Sequence, residues 1–457
     1  MRLPLPLSVE VAAARLAGGL SRLAGQGGGT TLPGKILATI DPSAVTRLAR
    51  NLRLGSALVS ATNGKTTTAA MVAEILGRRL RLAHNRAGAN LVSGVASTLL
   101  AQRTAELGLF EVDEGAFPDL ARRLRPRAVC LGNLFRDQLD RYGELELVAD
   151  RWRGALSELD PGAAVVANAD DALVANLAGG HASATFFGLD DRSAARERLP
   201  HAADAKYCVV CGTPYTYAAA YVGHLGDYRC PSCGNARPPL DVAARSITHD
   251  GLVSTSFTLA SADGERRITL PLPGLYNVYN ALAAASLSFA LGATLDEVAA
   301  GLGRFRAAFG RLERIEIGDR SALMLLIKNP AGANEAVRTL VTAASPRIAL
   351  VALNDEIADG RDVSWIWDVD FEPLIPGLET LVVSGGRAHE LALRFKYGGL
   401  EPDRIVIVPD LEDALDRALA LTDPGGEVPV LPTYTAMLAL RRIVSRRGLV
   451  RPYWEAA

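Results

Sequence analysis

The stretch 56–76, SALVSATNGKTTTAAMVAEIL, joins a short apolar run, a polar turn and an amphipathic pattern. The run 56–60 predicts a buried strand, and Met71, Val72 and Ile75 share one face of the helix predicted to follow it. Backbone N–H groups and the dipole at such a helix start favour phosphate oxygens. A strand, a Gly-Lys-Thr turn and a helix in this order therefore indicate a phosphate-binding site.

The turn TNGKTT supplies the residues predicted to hold the phosphates of ATP. Lys65 is expected to reach the terminal phosphates, and the Thr66 hydroxyl is expected to bind a magnesium ion. The complete phosphate-loop pattern is not met, because Val59 stands where its first glycine belongs. The alternative interpretation is a polar helix cap without a ligand. The candidate ATP-binding residues of the turn are Thr62, Asn63, Gly64, Lys65, Thr66 and Thr67.

Acidic residues follow another predicted strand in the segment 110–115, FEVDEG. Magnesium prefers carboxylate oxygens and keeps several of its waters. Carboxylates at a strand end beside a phosphate loop suit such an ion, so Glu111 and Glu114 are the candidate magnesium ligands together with Thr66. The alternative is a solvated acidic turn, and the sequence does not rank Glu111 against Glu114.

Four of the five cysteines form two close pairs, Cys208 with Cys211 and Cys230 with Cys233. Two Cys-x-x-Cys pairs at this spacing predict a four-thiolate zinc ribbon, the alternative being four free thiols. Between the pairs the only lysine or arginine is Arg229, so the basic footprint of a nucleic-acid-binding ribbon is missing. A structural zinc is the prediction.

Apolar strands alternate with helical patterns along most of the 457 residues, which predicts two α/β units with mainly parallel sheets. The first unit is an ATP-binding domain over 46–305, interrupted by the cysteine-rich insertion 200–240. The second, over 306–457, is a Rossmann-like α/β domain. Its predicted strands are ALMLLI (322–327), RIALVAL (347–353), TLVVSG (380–385), RIVIVP (404–409) and VPVLP (428–432).

Composition and charge are those of an ordinary globular protein. The formal net charge is −1, so no global field favours nucleic acid or an anionic membrane. No apolar run reaches the roughly 18 residues that a membrane span needs. Residues 1–45 predict an amphipathic helix and a glycine-rich loop, without the uninterrupted apolar core of a signal peptide. A cytoplasmic location is therefore expected.

Several of these motifs resemble the Mur ligases, which join amino acids to the peptidoglycan peptide, and the folylpolyglutamate synthetases. TNGKTTT (62–68) is similar to their ATP loop, although Ala61 stands where most relatives have glycine. Alanine does not adopt a positive φ cheaply, so the resemblance implies a slightly altered loop geometry.

Later motifs extend the same resemblance through the predicted first domain and into the second. They are GNLFRDQLDRYGE (132–144), ANADD (167–171), GLYNVYNALAAA (274–285) and FGRLERI (309–315). By this resemblance Asn280 and Arg311 are further candidates for ATP binding. It also places the hinge between the two domains near Arg311.

The cysteine insertion and the C-terminal motifs resemble one branch of that family, the MurT ligase subunits of lipid II isoglutaminyl synthases. The resemblance implies ATP-dependent amidation of the D-glutamate α-carboxylate in the lipid II stem peptide, by way of an acyl phosphate. It implies a heterodimer with a GatD-type glutaminase that releases ammonia, and a lipid II substrate at the inner membrane face. The C-terminal motifs are NPAGANEAVRTL (329–340), DGRDVSWIWDVDF (359–371), SGGRAHELALRFKYGG (384–399) and LPTYTAMLAL (431–440).

The segment 359–371 is acidic and aromatic, and it follows a predicted parallel strand, where functional loops of open α/β sheets lie. Trp365 and Trp367 are expected to contact a partner. The resemblance suggests that an aspartate of this segment orients the catalytic histidine of the glutaminase. The candidates, in order, are Asp362, Asp359 and Asp368. The alternative is that the tryptophans are core residues and the aspartates are capping or solvated.

Two other functions remain as alternatives. One is a stand-alone ligase that joins an amino acid to a peptidoglycan precursor or to folate. The other is a nucleic-acid-binding NTPase with a zinc ribbon, which the charge pattern disfavours.

Overall fold

The computed structural model describes residues 32–85, 89–137, 144–197, 199–200, 203–306, 311–343 and 345–451. The predicted N-terminal amphipathic helix lies outside these residues. The strands are β1 (Ser56–Ser60), β2 (Leu82–His84), β3 (Leu107–Glu111), β4 (Ala128–Leu131), β5 (Ala164–Asn168), β6 (Ala184–Leu189), β7 (Thr216–Ala220), β8 (Gly226–Arg229), β9 (Val242–Asp250), β10 (Ser254–Ser261), β11 (Gly264–Leu270), β12 (Arg311–Ile317), β13 (Arg320–Leu325), β14 (Ile348–Ala352), β15 (Thr380–Ser384), β16 (Ile405–Ile407) and β17 (Glu427–Pro432).

Most of the α-helices lie between these strands in the chain, and several of them connect one parallel strand to the next. They are α1 (Leu32–Ile40), α2 (Ala44–Ala49), α3 (Lys65–Leu76), α4 (Val92–Ala101), α5 (Phe117–Leu124), α6 (Leu145–Ser157), α7 (Ala172–Ala178), α8 (Leu275–Ala290), α9 (Leu295–Arg304), α10 (Pro330–Ala343), α11 (Ala388–Tyr397), α12 (Leu411–Leu421) and α13 (Tyr434–Arg446).

The first sheet has nine strands in the order β11-β10-β9-β6-β5-β4-β1-β3-β2. The seven strands from β9 to β2 in that order are parallel, as the continuous apolar runs predicted. The antiparallel strands β10 and β11 extend the sheet at one edge and were not predicted. In β10 buried residues alternate with half-buried ones, so this edge has the period-two pattern of a hairpin rather than an apolar run.

Strand β1 shows why the chain folds around the stretch 56–76. All five of its residues are buried, since helices cover both faces of the sheet. Ala57 and Val59 join the core formed with α3, α8 and α9. Leu58, which points to the other face, joins the core formed with α1, α2 and α4 to α7. The strand therefore fixes the turn formed by residues 62–67, called the phosphate turn below, between two packed layers.

Helix α1 occupies part of the region 1–45 for which an amphipathic helix and a glycine-rich loop were predicted, and it packs against the first sheet. Residues from Leu32 onward are helical, and Leu37 is fully buried in the core of the first sheet. Gly34 allows this packing: a Cβ there would lie 1.9 Å from the Ser93 carbonyl oxygen of α4. The Gly34 N–H also donates to Ser97 Oγ at 2.8 Å.

The second sheet has the order β12-β13-β17-β14-β15-β16, with β12 antiparallel to β13 and the other neighbours parallel. Its faces are covered by α10 and α11 on one side and by α12 and α13 on the other. The five strands predicted for this domain are all present, with slightly different ends. The unpredicted strand β12 begins at Arg311, soon after α9 ends at Arg304.

Candidate functional site

The phosphate turn lies at the carboxyl edge of the first sheet, between β1 and α3. Asn133, which follows the neighbouring strand β4, holds it in place through three hydrogen bonds. Its carbonyl accepts from Thr62 N at 2.9 Å, its Oδ1 accepts from Asn63 N at 2.8 Å, and its Nδ2 donates to Asn63 O at 3.0 Å. The turn is therefore preorganised by the protein itself.

Gly64 is required where the turn enters α3. Its φ is +87°, in the region that favours glycine. A Cβ there would also lie 1.9 Å from Asn280 Oδ1. Asn280, predicted from the family motif, thus lies directly against the phosphate turn, and its Nδ2 donates to Asn277 Oδ1 at 3.1 Å. Thr66 and Thr67 lie in the first turn of α3.

Lys65 is buried in an ion pair with Glu114. Its Nζ donates to Glu114 Oε2 at 2.6 Å and to the carbonyls of Ala61 and Thr62. Burial disfavours the charged form of each side chain, but the attraction and hydrogen bond between Lys65 and Glu114 have the larger effect. The pKa of Lys65 is therefore raised and the pKa of Glu114 is lowered. The lysine and the carboxylate are therefore both ionised at neutral pH.

Glu111, the other candidate magnesium ligand, is placed by Asn85. The Asn85 side chain bonds the backbone N–H and carbonyl of Glu111, both at 2.8 Å. Among the described residues no hydrogen-bond partner meets the buried Glu111 Oε2. A buried carboxylate oxygen without a protein partner fits a cation or its bound water. Magnesium there would screen the phosphates, and Glu111, Glu114 and Thr66 stay the candidate ligands.

A large cleft opens from the phosphate turn and runs between the two domains. Its walls come from the phosphate turn, the residues that follow β4, the start of α8, the loop 221–225 of the insertion, and the second domain. Tyr276, Val222 and Leu325 make much of this surface apolar, which suits a nucleotide base and sugar. The buried Glu335 and the ammonium of Lys328 are the charged groups on its wall.

Lys328 and Asn329 were missed from the sequence. Lys328 Nζ donates to Thr62 O at 3.0 Å and to Asp137 Oδ2 at 2.5 Å, so the second domain reaches the phosphate turn. The sequence could have predicted both residues from their position just after the predicted strand 322–327, because functional residues often lie at the carboxyl edge of a parallel sheet. Arg311 begins β12 and pairs with Leu325 of β13. Its part in ATP binding stays a prediction.

The four paired cysteines come together as predicted. Their sulfur atoms all lie within 4.8 Å of one another, with 3.5 Å between Cys208 and Cys233 and 3.4 Å between Cys211 and Cys230. Each pair is followed by a glycine with positive φ, as tight metal-binding turns require. Four thiolates converging at this spacing fit a tetrahedral zinc ion.

The three candidate aspartates of the segment 359–371 occupy different settings. Asp359 is buried and accepts hydrogen bonds from Thr435 N, at 2.8 Å, and from Thr435 Oγ1, so it caps the start of α13. Asp362 is exposed, and its carboxylate accepts a local hydrogen bond from Ser364 N at 2.9 Å. Asp368 is half-buried, 3.6 Å from Arg136 of the first domain.

The tryptophans of this segment divide between core and surface. Trp365 packs against the core of the second sheet. Trp367 is 51% exposed, with its ring centroid 6.0 Å from that of Tyr397, which is 75% exposed. The Arg394 guanidinium lies 5.9 Å from the Trp367 ring centroid. One predicted aromatic contact residue is thus available at the surface.

Comparison with known proteins agrees with this architecture. Residues 59–230 match the family model of the Mur ligase middle domain, and residues 326–437 match that of the MurT ligase C-terminal domain. The chain is similar to a pseudomurein peptide ligase type C from Methanothermus fervidus (TM-score 0.71, 21% identity, covering 87% of this chain and 79% of that one). It is also similar to MurF ligase from Thermotoga maritima in complex with ADP (TM-score 0.65, 15% identity, covering 90% and 83%). The fold is therefore that of the Mur ligases, a class of ATP-dependent ligases.

Relatives that align with nearly the whole chain show to which branch of the Mur ligases it belongs. Lipid II isoglutaminyl synthase (glutamine-hydrolyzing) subunit MurT of Streptococcus pneumoniae is 33% identical, over 94% of this chain and 95% of the relative. The subunit of the same name from Staphylococcus aureus strain N315 is 30% identical, over 95% and 96%. The chain belongs to the MurT family. Across the part of the chain that the structure describes, every helix is too short or too polar to cross a membrane.

Proposed function

We propose that this chain is the ATP-dependent ligase subunit of a lipid II isoglutaminyl synthase, active in peptidoglycan synthesis. It would amidate the D-glutamate α-carboxylate of the lipid II stem peptide to D-isoglutamine. The observation that carries the proposal is a preorganised phosphate turn, with its buried Lys65–Glu114 pair, in a chain similar to MurT subunits along both domains. A cytoplasmic location fits a substrate reached at the inner membrane face.

The proposed chemistry has two steps. A carboxylate oxygen of the substrate bonds to the γ-phosphorus of ATP as the bond from that phosphorus to the bridging oxygen breaks, and ADP leaves. Ammonia then attacks the carbonyl carbon, the bond to the phosphate oxygen breaks, and the nitrogen loses a proton. Lys65 neutralises charge during the first step. Bound magnesium would supply further charge neutralisation at the phosphates.

With glutamine as the nitrogen source, ammonia is proposed to come from a partner subunit. Cys130, the one cysteine outside the zinc cluster, is buried in β4, and burial raises its pKa to about 12. Such a thiol is a poor nucleophile for releasing ammonia from glutamine. The partner is proposed to be a GatD-type glutaminase, which would contact the segment 359–371. Asp362 is the first choice for the aspartate that orients its histidine, ahead of Asp359 and Asp368.

The test combines the chain, a GatD-type glutaminase, lipid II, ATP and magnesium, with either glutamine or ammonium as nitrogen source. Mass spectrometry of the lipid II product should detect amidation with both sources, and none without ATP. The control is Lys65→Met, which should abolish both reactions. Product formed by joining a free amino acid, with no amidation, would favour the stand-alone ligase instead.

A further inference from the structure

The second domain touches the phosphate turn through a short segment that follows β13. The side-chain amides of Asn329 and Asn63 exchange two hydrogen bonds, at 3.2 and 3.1 Å. Asn329 Oδ1 also accepts from Gly332 N, at 2.9 Å, at the start of α10. This mutual pairing fixes the segment 328–332 against the turn. The neighbouring side chain, Lys328, is thereby aimed at the place where phosphate is expected to bind.

Lys328 brings a second ammonium group to this place. Its Nζ lies 3.0 Å from the Thr62 carbonyl oxygen, and the Nζ of Lys65 lies 3.3 Å from the same oxygen. Two like charges this close repel each other unless negative charge lies between or beside them. In this structure Glu114 compensates Lys65, and Asp137 compensates Lys328. The terminal phosphates of ATP carry the kind of charge that two converging cations recognise.

Asp137 is an incomplete partner for Lys328. Its side chain is 9% exposed, and Oδ1 has no hydrogen-bond partner among the described residues. Burial raises the pKa of Asp137, and Lys328 opposes that shift. A buried carboxylate with one unsatisfied oxygen pays a desolvation free energy that its ion pair with the lysine only partly offsets. Exchange of this partner for a phosphate oxygen is therefore accessible to Lys328.

We infer that Lys328 is a catalytic residue that binds the terminal phosphate of ATP, with Asp137 holding its ammonium until ATP is bound. This inference rests on the proposed function. Lys328 would neutralise the γ-phosphoryl group while its bond to the bridging oxygen of ADP breaks and its bond to the substrate carboxylate forms. Because the lysine belongs to the second domain, phosphoryl transfer becomes efficient only when that domain is docked on the phosphate turn.

The test compares the binding of ADP and of a non-hydrolysable ATP analogue by calorimetry, in buffer with magnesium. In Lys328→Met the affinity for the analogue should fall roughly 10- to 100-fold, because one charge-assisted bond to the terminal phosphate is lost. The affinity for ADP should change little, which also shows that the variant is folded. Lys328→Arg should keep most of the preference for the analogue.

Two controls separate phosphate binding from a loosened domain contact. Arg338→Gln removes a different contact between the domains, from Arg338 to the Tyr221 carbonyl at 3.1 Å. It should leave the ratio of the two affinities unchanged. Asp137→Asn should keep or increase the preference for the analogue. The inference is overturned if Lys328→Met keeps the wild-type ratio, or if Arg338→Gln or Asp137→Asn lowers the ratio equally.

These binding measurements need neither lipid II nor a partner subunit. A wild-type chain that fails to amidate lipid II would therefore count against the proposed function alone. An unchanged ratio of affinities in Lys328→Met would count against the inference alone.

Discussion

Lys65 is proposed to bind phosphate, and its buried ion pair predicts that it also contributes to stability. Its ammonium compensates Glu114, which is also buried, so removal of the lysine leaves an uncompensated charge. Lys65→Met should therefore abolish ATP turnover and also destabilise the first domain by about 3 kcal/mol. Thermal unfolding measures the second effect. The control Arg153→Met removes an exposed ion pair with Asp150 and should shift the midpoint far less.

The same pair predicts how stability depends on pH. The pKa of Glu114 is lowered from 4.5, so its contribution is present above that value and is lost as the pH falls below it. The pKa of Lys65 is raised from 10.5, so its contribution is present below that value and is lost as the pH rises through the raised pKa. The double variant Lys65→Met, Glu114→Gln should lose both dependences. An identical acid limb in thermal unfolding of the double variant and wild type would contradict this assignment.

Residue patterns in the sequence predict the chemical role of a residue better than they predict whether the residue is buried. The Gly-Lys-Thr turn pointed to Lys65 because neighbours in the chain carry the signal. The burial of Lys65 depends on Glu114, 49 residues away, and the placement of Lys328 depends on Asp137, 191 residues away. Contacts over such distances are set by strand order, which a single sequence does not contain.

The cysteine-rich insertion is an element whose stability is expected to depend on a bound metal. Cys208 and Cys230 are buried beside Tyr215 and Tyr228 in a small cluster that has few apolar residues. Metal binding is coupled to folding in a segment of this size. Cys208→Ser should therefore lower the zinc content below one ion per chain and lower the thermal midpoint, measured by elemental analysis and calorimetry. The control Cys130→Ser lies outside the cluster and should keep its zinc. Full zinc occupancy in Cys208→Ser would contradict the assignment.

The insertion also contributes directly to the cleft. Val222 and Leu225 line it, and the Tyr221 carbonyl between the domains accepts hydrogen bonds from Arg196 and Arg338, both at 3.1 Å. Loss of zinc should therefore weaken ATP binding as well as stability. The cysteine spacing predicted that the four thiols come together but gave no sign of this contact.

Helix α1 gives a matched test of close packing between elements. Gly34→Ala would bring a Cβ within 1.9 Å of the Ser93 carbonyl oxygen, so α1 would have to move away from α4. The expected cost is about 1 to 3 kcal/mol in the free energy of unfolding, as for other overpacked sites. Gly154→Ala, in α6 with nothing within 4 Å of the added Cβ, should instead stabilise by about 0.5–1 kcal/mol. Denaturant unfolding of both variants measures the difference, and a cost in both would contradict the packing argument.

On the scale of the whole molecule, the surroundings of two candidate aspartates predict different roles toward the proposed glutaminase partner. Asp359 is bound inward to Thr435, whereas the exposed Asp362 accepts a hydrogen bond from Ser364 N within its own turn. Hydrogen bonding from Ser364 lowers the pKa of Asp362, so its carboxylate is ionised at neutral pH and can orient a histidine of the partner. The exposed Trp367 and Tyr397, on the same domain, offer an aromatic anchor for such a partner.

Asp362→Asn should consequently bind the glutaminase and lose glutamine-dependent amidation by orders of magnitude, while added ammonium restores the product, because the ATP site is untouched. Asp359→Asn serves as the comparison. Since its carboxylate caps α13, it should lower the thermal midpoint and affect the glutamine and ammonium reactions to the same extent. Amidation rates with each nitrogen source measure both variants. Wild-type use of glutamine by Asp362→Asn would exclude Asp362, and a selective loss of glutamine use in Asp368→Asn would transfer the role to Asp368.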